Sequence, residues 1–218
     1  MTVDSGAART IGIIGGTGPQ GRGLATRWAV AGVQVTLGSR DAARAADVAA
    51  EVGHGVTGAS NEDAAAADVV VVTVPFDAHE ATLRSLEPVL RGRIVVDSVN
   101  PLGFDKQGPF ALAVPEGSAA QQAEVLLPGS TVLAAFHHVS AVSLADLSVT
   151  DLALDVLVLG DDRDAVDVVV GLADLMPGVR GLYGGRLRNA HQVEALTANL
   201  IAINRRYKAH AGLRITDV

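Results

Sequence analysis

Short apolar runs alternate along the chain with stretches in which apolar residues recur every three or four positions. The first run covers residues 10–14, and the clearest covers 68–75, where four consecutive valines follow Asp68. Such runs are typical of buried parallel strands, and the stretches between them are typical of amphipathic helices. Their repeated alternation predicts an α/β fold with a doubly wound parallel sheet.

The same pattern predicts approximate bounds for the elements. Strands are expected at residues 10–14, 33–37, 56–57, 68–75, 93–97, 131–136, 154–160 and 181–185. Helices are expected after residue 21 and at residues 42–52, 62–66, 78–90, 118–127, 163–175 and 187–204. Residues 99–116 are rich in proline and glycine and predict a long loop, a kind of segment that is usually functional. We place a domain boundary near residue 150, between a nucleotide-binding domain at 9–150 and a small C-terminal α/β-to-helical domain at 151–218.

A glycine-rich loop connects the first strand to the first helix. Gly16, Thr17, Gly18, Gln20 and Gly21 follow the spacing G-x-G-x-x-G, between a strand and a helix as dinucleotide-binding proteins require. Gly16 would make the tight turn, Gly18 would let the backbone approach a diphosphate, and Gly21 would let the helix pack closely on the strand. The helix N-terminus would then face the phosphates. The alternative is a glycine-rich turn without a ligand.

Composition and charge exclude several classes of function. The 218 residues carry a formal net charge of −7 and include only four Phe, two Tyr and one Trp, unlike the basic, aromatic surface of a nucleic-acid-binding protein. The absence of cysteine excludes disulfides, thiolate metal sites and cysteine nucleophiles. No apolar run is long enough to span a membrane. The first eight residues lack the apolar core of a signal peptide and predict a loose tail, so we expect a cytoplasmic protein.

The end of the second strand indicates which dinucleotide is bound. Proteins that bind NAD place an acidic residue there, about 20 residues after the glycines, to bind the ribose 2′-hydroxyl. Here Gly38 is followed by Ser39 and Arg40, and Arg44 lies one helical turn further on. A hydroxyl and guanidinium groups bind a 2′-phosphate, which an acidic residue would repel, so the sequence favours NADP(H). The alternative is that Ser39 and Asp41 only cap a helix and that Arg40 is solvated.

Few side chains in the sequence are suited to donate a proton. There is no Tyr-x-x-x-Lys motif, because neither Tyr183 nor Tyr207 has a lysine four residues later. No zinc-binding set is visible, since the adjacent His137 and His138 would point to opposite faces of a strand. This inventory favours direct hydride transfer between two cofactors, in which positioning and the exclusion of water provide most of the catalysis.

Several short motifs resemble those of the NADPH-dependent reductases of coenzyme F420, a deazaflavin. The resemblance runs from about residue 10 to 218 and includes the glycine loop, the Gly38–Arg40 turn, the strand end Thr73-Val74-Pro75 and five later segments. These segments are Asn100-Pro101-Leu102, Ala135-Phe136-His137, Leu159-Gly160-Asp161-Asp162, Arg188-Asn189 and Glu194-Ala195-Leu196-Thr197. The resemblance implies a Rossmann domain, a small C-terminal domain that completes the deazaflavin pocket, a homodimer, and reversible hydride transfer between NADP(H) and coenzyme F420.

The same resemblance implies roles for individual residues. Those expected along the NADP diphosphate and 2′-phosphate are Gly16, Thr17, Gly18, Gln20, Gly21, Ser39, Arg40 and Arg44. Those expected at the carboxyl edge of the sheet and between the two cofactors are Pro75, Phe76, Asn100, Pro101 and Leu102. Those expected to line the deazaflavin pocket are His137, Val139, Leu187, Arg188 and Asn189. His137 is the catalytic candidate, either orienting the deazaflavin or supplying the proton that its N1 requires; the alternative is a hydrogen-bonded histidine at a strand end.

Three other functions remain open from the sequence. A protein of this fold could reduce an imine or a small carbonyl with NADPH, as pyrroline-carboxylate reductases do. It could be a flavin-assisted metal reductase domain, which has similar glycine and Glu-Ala-Leu-Thr-like motifs. It could also be an NADP(H)-binding sensor without catalytic turnover.

Overall fold

Ten strands and eight α-helices occur in residues 10–218, the part of the chain that this computed structural model describes. The strands are β1 (Ile11–Ile14), β2 (Val35–Ser39), β3 (Thr57–Ser60), β4 (Val69–Val72), β5 (Ile94–Asp97), β6 (Leu102–Asp105), β7 (Gly108–Ala111), β8 (Thr131–Ala134), β9 (Leu154–Leu159) and β10 (Val179–Gly185). The helices are α1 (Pro19–Val30), α2 (Ala42–Val52), α3 (Asn61–Ala64), α4 (Phe76–Leu90), α5 (Ala119–Leu126), α6 (Ala141–Ala145), α7 (Arg163–Asp174) and α8 (Ala190–Tyr207), with a 3-10 helix at Leu187–Asn189 before α8. The tail predicted at residues 1–8 lies outside the described residues.

Eight of these strands form one sheet in the order β10-β9-β8-β5-β4-β1-β2-β3. The six strands from β8 to β3 are parallel, and the chain changes direction across the sheet between β1 and β4. The doubly wound α/β fold is therefore confirmed, with its ligand crevice expected beyond the carboxyl ends of β1 and β4. β9 runs antiparallel to β8 and pairs with it only at Ala134 and Leu159, while β10 is parallel to β9. The domain boundary near residue 150 stays a prediction.

Helices cover both faces of the sheet, because alternate residues of its central strands point to opposite sides. Ile13 and Val71 belong to one core cluster with α1 and α7, and Val70 and Val72 belong to another with α4 and α5. In the first cluster the indole N–H of Trp28 donates to a carbonyl of α7 at 2.8 Å. Burial on both sides explains why these strands read as continuous apolar runs.

Two predictions about local structure are wrong, and one short helix was not predicted. The expected loop at 99–116 contains the β6–β7 hairpin, whose turn forms because the Asp105 carboxylate accepts hydrogen bonds from the N–H groups of Gln107 and Gly108. The strand expected at 68–75 ends at Val72, because Pro75 is the N-cap residue of α4 and Phe76 is the first residue of that helix. The short helix α6 was not predicted, and it begins where the Ser140 hydroxyl accepts from the N–H of Ser143.

The final helix also differs from its predicted form. Leu187–Asn189 is a separate 3-10 turn, and α8 continues to Tyr207. Within α8, Val193 and Leu200 are buried, but Ile203 is 40% exposed. The second half of α8 therefore leaves apolar surface uncovered. None of the helices within residues 10–218 combines the length and the apolar character needed to cross a membrane.

Candidate functional site

The glycine loop brings the start of α1 close to the end of β1. A Cβ atom on Gly16 would lie 2.7 Å from the Leu37 side chain, and one on Gly21 would lie 2.5 Å from the Gly16 Cα. At Gly18 a Cβ atom would meet only the Gly15 carbonyl oxygen, at 3.7 Å, so the space in front of it is open. No side chain caps α1, and its first N–H groups are available to an anion. The loop therefore has the form of a phosphate cradle.

At the end of β2, the residue that caps α2 is not one of the cationic residues. The Asp41 carboxylate caps α2 by accepting from the N–H groups of Ala43 and Arg44 at 3.0 and 3.1 Å, and the Ser39 hydroxyl accepts from the N–H of Asp41. Arg40 and Arg44 are exposed, and neither forms an ion pair with another residue of the described chain. Capping therefore uses Asp41 and leaves both guanidinium groups available to a phosphate.

A cavity of about 170 Å³ lies at the carboxyl ends of the central strands. Five residues singled out from the sequence line it, although they come from four separate segments: Gln20, Pro75, Phe76, Asn100 and His137. The rest of its lining was not predicted and consists of Thr73, Val74, Ser98 and Val99. These four residues follow directly on β4 and β5, so their position just after a strand at the crevice was the signal that could have identified them.

His137 is the side chain of this cavity with the most unusual environment. It is 4% exposed, and neither ring nitrogen makes a hydrogen bond to any residue in 10–218. Burial lowers the pKa of His137 to about 4, although the Asp97 carboxylate opposes the shift and His138 adds to it. At neutral pH the ring is therefore uncharged, with one nitrogen able to donate and the other able to accept. Buried polar atoms without partners are rare, which fits a group that binds a ligand.

The backbone around His137 is held from three directions. Its carbonyl accepts from the Asn100 amide at 3.0 Å and from the Thr197 hydroxyl at 3.1 Å, and the Gln20 amide donates to the Phe136 carbonyl at 3.1 Å. Phe136 itself has a φ of 65°, a left-handed conformation that is costly for a side chain other than glycine. The contacts from α1, the β5 turn and α8 together fix this strained segment and aim His137 into the cavity.

A second, more open groove of about 680 Å³ runs between the start of α1 and α6. Thr17, Pro19 and Arg22 line one side, and the Arg22 guanidinium donates to the Thr17 carbonyl at 3.1 Å. The buried Arg27 holds the other side in place by donating to carbonyls at the end of α6, at 2.6 to 2.9 Å. Sequence reasoning missed Arg22 and Arg27, because two arginines on a helix usually face solvent.

The remaining predicted residues do not line the small cavity. Pro101, Val139 and Leu187 are buried, and Leu102 begins the β6–β7 hairpin. Arg188 is exposed, and Asn189 is partly buried. Their proposed role beside the deazaflavin stays a prediction.

The fold and the site together define a dinucleotide-binding protein of the Rossmann class, with a glycine-loop cradle and a polar cavity at the strand ends. A family model described as "NADP oxidoreductase coenzyme F420-dependent" matches residues 10–101. The chain is 42% identical over 221 residues to the F420-dependent NADP reductase of Methanothermobacter thermautotrophicus, with 95% of each protein covered. The chain belongs to the family of F420-dependent NADP reductases.

Comparison with solved structures agrees with this assignment. A structure from Arthrobacter sp. FB24, described as an F420-dependent NADP reductase, has a TM-score of 0.82 and 26% identity, covering 95% of this chain and 99% of that one. A pyrroline-5-carboxylate reductase from Coxiella burnetii shares the fold alone, with a TM-score of 0.62, 13% identity, and coverage of 92% and 67%. The reductase family thus matches over nearly the whole chain, whereas the imine-reducing alternative matches in architecture only.

Proposed function

We propose that this protein is an oxidoreductase that transfers a hydride reversibly between NADP(H) and coenzyme F420. The observation that carries the proposal is the cavity at the ends of β4 and β5, which joins the glycine loop to the unpartnered ring of His137. The nicotinamide and the deazaflavin supply the chemistry, exchanging a hydride between two ring carbons. The protein contributes binding, orientation and a site from which water is excluded.

The nucleotide half of the site would hold NADP(H) through two anion-binding groups. The N–H groups at the start of α1, in front of Gly16, Thr17, Gly18, Gln20 and Gly21, would bind the diphosphate. Ser39, Arg40 and Arg44 would bind the 2′-phosphate, because the two guanidinium groups are exposed and have no carboxylate partner in the described chain.

His137 would face the reacting rings as an uncharged imidazole. Its lowered pKa, about 4, makes it a weak base at neutral pH, so the ring would orient the deazaflavin by a hydrogen bond rather than remove a proton. Asn100 would hold it there by binding its carbonyl. Leu102, Val139, Leu187, Arg188 and Asn189 are proposed to line the deazaflavin side, with Pro75, Phe76 and Pro101 between the cofactors.

The deciding experiment follows the absorbance of oxidised F420 when it is mixed with the protein and NADPH. We expect the deazaflavin band to decrease with NADPH, and to return when NADP+ is added to the reduced form. NADH should support a much slower reaction. No change with F420, together with turnover of a cyclic imine, would instead favour the pyrroline-carboxylate-reductase type. Binding of NADPH without any acceptor would favour a sensor.

We also propose that the protein acts as a cytoplasmic homodimer. The second half of α8 exposes Ile203 and Tyr207, at 40% and 73%, and the neighbouring hairpin exposes Phe104 and Phe110, at 65% and 45%. Exposed apolar surface of this kind is typical of a subunit interface. Sedimentation should give twice the monomer mass, and an Ile203→Asp variant should be monomeric; a monomeric unmodified protein would contradict the proposal. A cytoplasmic location follows from the need for an NADP(H) pool and is tested by cell fractionation.

A further inference from the structure

A buried histidine and a buried aspartate form an ion pair beneath the cavity. His79 of α4 and Asp97, the last residue of β5, are both fully buried, and the His79 Nε2 atom lies 2.6 Å from the Asp97 carboxylate. The other ring nitrogen, Nδ1, lies 2.9 Å from Oε1 of the Gln122 side chain. The Gln122 amide is held in this orientation because its Nε2 group donates to the Glu116 carboxylate. Because both ring nitrogens face oxygen atoms, the geometry favours a proton on each nitrogen, which makes the ring an imidazolium.

The electrostatics agree with this geometry. Burial opposes a charge on the ring, but the Asp97 carboxylate, the hydrogen bonds to Asp97 and Gln122, and the more distant Glu194 outweigh it and raise the pKa of His79. A buried ion pair of this kind is costly unless its hydrogen bonds are complete. Here the second Asp97 oxygen is also engaged, since it accepts from the N–H of Val99 at 2.9 Å.

The hydrogen bond from the Val99 N–H to Asp97 connects the ion pair to the cavity. Ser98, Val99 and Asn100 form the turn after β5 and line the cavity directly. Asp97 fixes the turn at Val99, and the Ser98 hydroxyl fixes it to the carbonyl of Val72 at 2.7 Å. Asn100 then reaches the His137 carbonyl. The position of the His137 segment therefore depends, through two hydrogen bonds, on the orientation of the Asp97 carboxylate.

The same region also anchors the start of α8. The Glu194 carboxylate is 3% exposed and accepts from the N–H groups of Ala119 and Ala120 at the start of α5, at 3.0 and 3.1 Å. One helical turn later, Thr197 donates to Asn100 or to the His137 carbonyl. Glu194 and Thr197 are spaced i, i+3 and so lie on one face of α8. One face of α8 is thus hydrogen-bonded both to α5 and to the segments that line the cavity.

We propose that His79 is a positioning residue for hydride transfer, which acts as a buried imidazolium that locks the Asp97 carboxylate and thereby holds the Ser98–Asn100 turn and the His137 segment in their reactive arrangement. The inference rests on the proposed function. His79 does not line the cavity and is not itself a catalytic residue. The diphosphate and 2′-phosphate sites lie on β1, α1 and β2, so the lock should affect the rate of the reaction more than the binding of NADPH.

The test compares H79Q with D97N and with the double variant. We expect kcat for F420 reduction to fall roughly 10- to 100-fold in H79Q, because a small misplacement of reacting groups has an effect of this size. The Kd for NADPH should stay within about 2-fold. D97N should lose at least as much activity, since it leaves a buried cation unpaired, and the double variant should recover part of that loss. H210Q, at an exposed histidine, is the matched control.

A second measurement needs no variant. The ¹⁵N NMR signals of the His79 ring in the unmodified protein should show both nitrogens protonated at pH 7; a neutral ring would overturn the proposal even if H79Q does not fold. A kcat per folded H79Q molecule within 2-fold of the unmodified protein, or a Kd for NADPH that rises as much as kcat falls, would overturn it too. Failure of the unmodified protein to reduce F420 would overturn the proposed function and leave the NMR result standing.

Discussion

The two halves of the site use different chemical groups. The proposed nucleotide half would use backbone N–H groups and exposed cations from one continuous stretch, residues 16–44. The proposed acceptor half, which would bind F420, uses the buried His137 and the partly buried Asn100 and Thr197. These residues come from distant parts of the chain, and the Asn100 and Thr197 side chains both donate to the His137 backbone carbonyl. The nucleotide half depends on open space in front of Gly18, and the acceptor half depends on the hydrogen bonds that hold the backbone around His137.

This difference predicts different responses to substitution. Filling the space in the nucleotide half should abolish binding without unfolding the protein, because nothing else packs there. Changing a buried polar group in the acceptor half should alter stability and its dependence on pH as well as the reaction, since buried charges and unpaired polar groups change the free energy of folding.

Gly18→Val should have the largest effect. Its added atoms would enter the open space in front of the loop, where a Cβ atom meets only the Gly15 carbonyl oxygen, at 3.7 Å. We expect the Kd for NADPH to rise at least about 100-fold with little change in melting temperature. Gly171→Val, at a helical glycine with nothing within 4 Å, is the matched control. Titration calorimetry measures the Kd of each variant, and thermal denaturation measures its melting temperature. Normal NADPH binding by Gly18→Val would show that the loop is not the phosphate cradle.

His137→Gln should change how stability depends on pH. The pKa of His137 is about 4 in the folded protein and 6.5 without the protein environment, so the unfolded chain binds more protons between these values. The group therefore lowers the free energy of unfolding by roughly 3 kcal/mol as the pH falls from 6.5 to 4. The variant should lose this acid sensitivity in urea unfolding measured across that range, while His210→Gln keeps it. An unchanged pH profile would mean that the ring is not buried without a partner.

Glu194→Gln should have an effect of similar size and opposite sign. Burial raises the pKa of Glu194 from 4.5 to about 7, although the N–H groups of Ala119 and Ala120 oppose the shift. The folded protein therefore binds more protons in this window, and stability is lost as the pH rises from 4.5 to 7, by roughly 3 kcal/mol. Relative to the unmodified protein, the variant should become more stable with rising pH, whereas Glu124→Gln, at an exposed position of α5, should not. Parallel profiles for the two variants would contradict this assignment.

Arg40→Ala should have the smallest effect, and that effect should discriminate most clearly between NADPH and NADH. Loss of one guanidinium from the 2′-phosphate should weaken NADPH binding about 10-fold, with Arg44 and Ser39 still present. NADH lacks this phosphate, so its affinity should change less than about 2-fold. Arg84→Ala, at an exposed arginine paired with Glu80, is the control. Equal losses for the two nucleotides would make Arg40 structural.

The sequence predicted much of the fold and the nucleotide half because both depend on local order. The buried strands are short apolar runs, and the glycine loop and the Ser39–Arg40 turn lie within 25 residues of one another, so their pattern survives in the linear chain. The β6–β7 hairpin was missed because its turn depends on one Asp105 side chain. α6 was missed because a five-residue helix has too little periodicity to recognise.

The buried polar network escaped prediction for a physical reason. His79 occupies the same helical stripe as Leu83, Leu86 and Leu90, which was the available signal, but a histidine in such a stripe does not reveal its partner. Its partner Asp97 lies 18 residues away and Glu194 lies more than 100 residues away in the sequence. Only the packing of α4, α5 and α8 around the end of β5 brings them together.

The sequence by itself determined the α/β class and predicted the position of the phosphate cradle and the preference for a 2′-phosphate, since strand periodicity, glycine spacing and local charge are properties of neighbouring residues. Only the tertiary structure decided which polar side chains are buried, which of them are paired, and that the His137 ring has no hydrogen-bond partner in the described chain. Burial and pairing depend on residues far apart in sequence, and the free energy of a buried charge depends on all of them together.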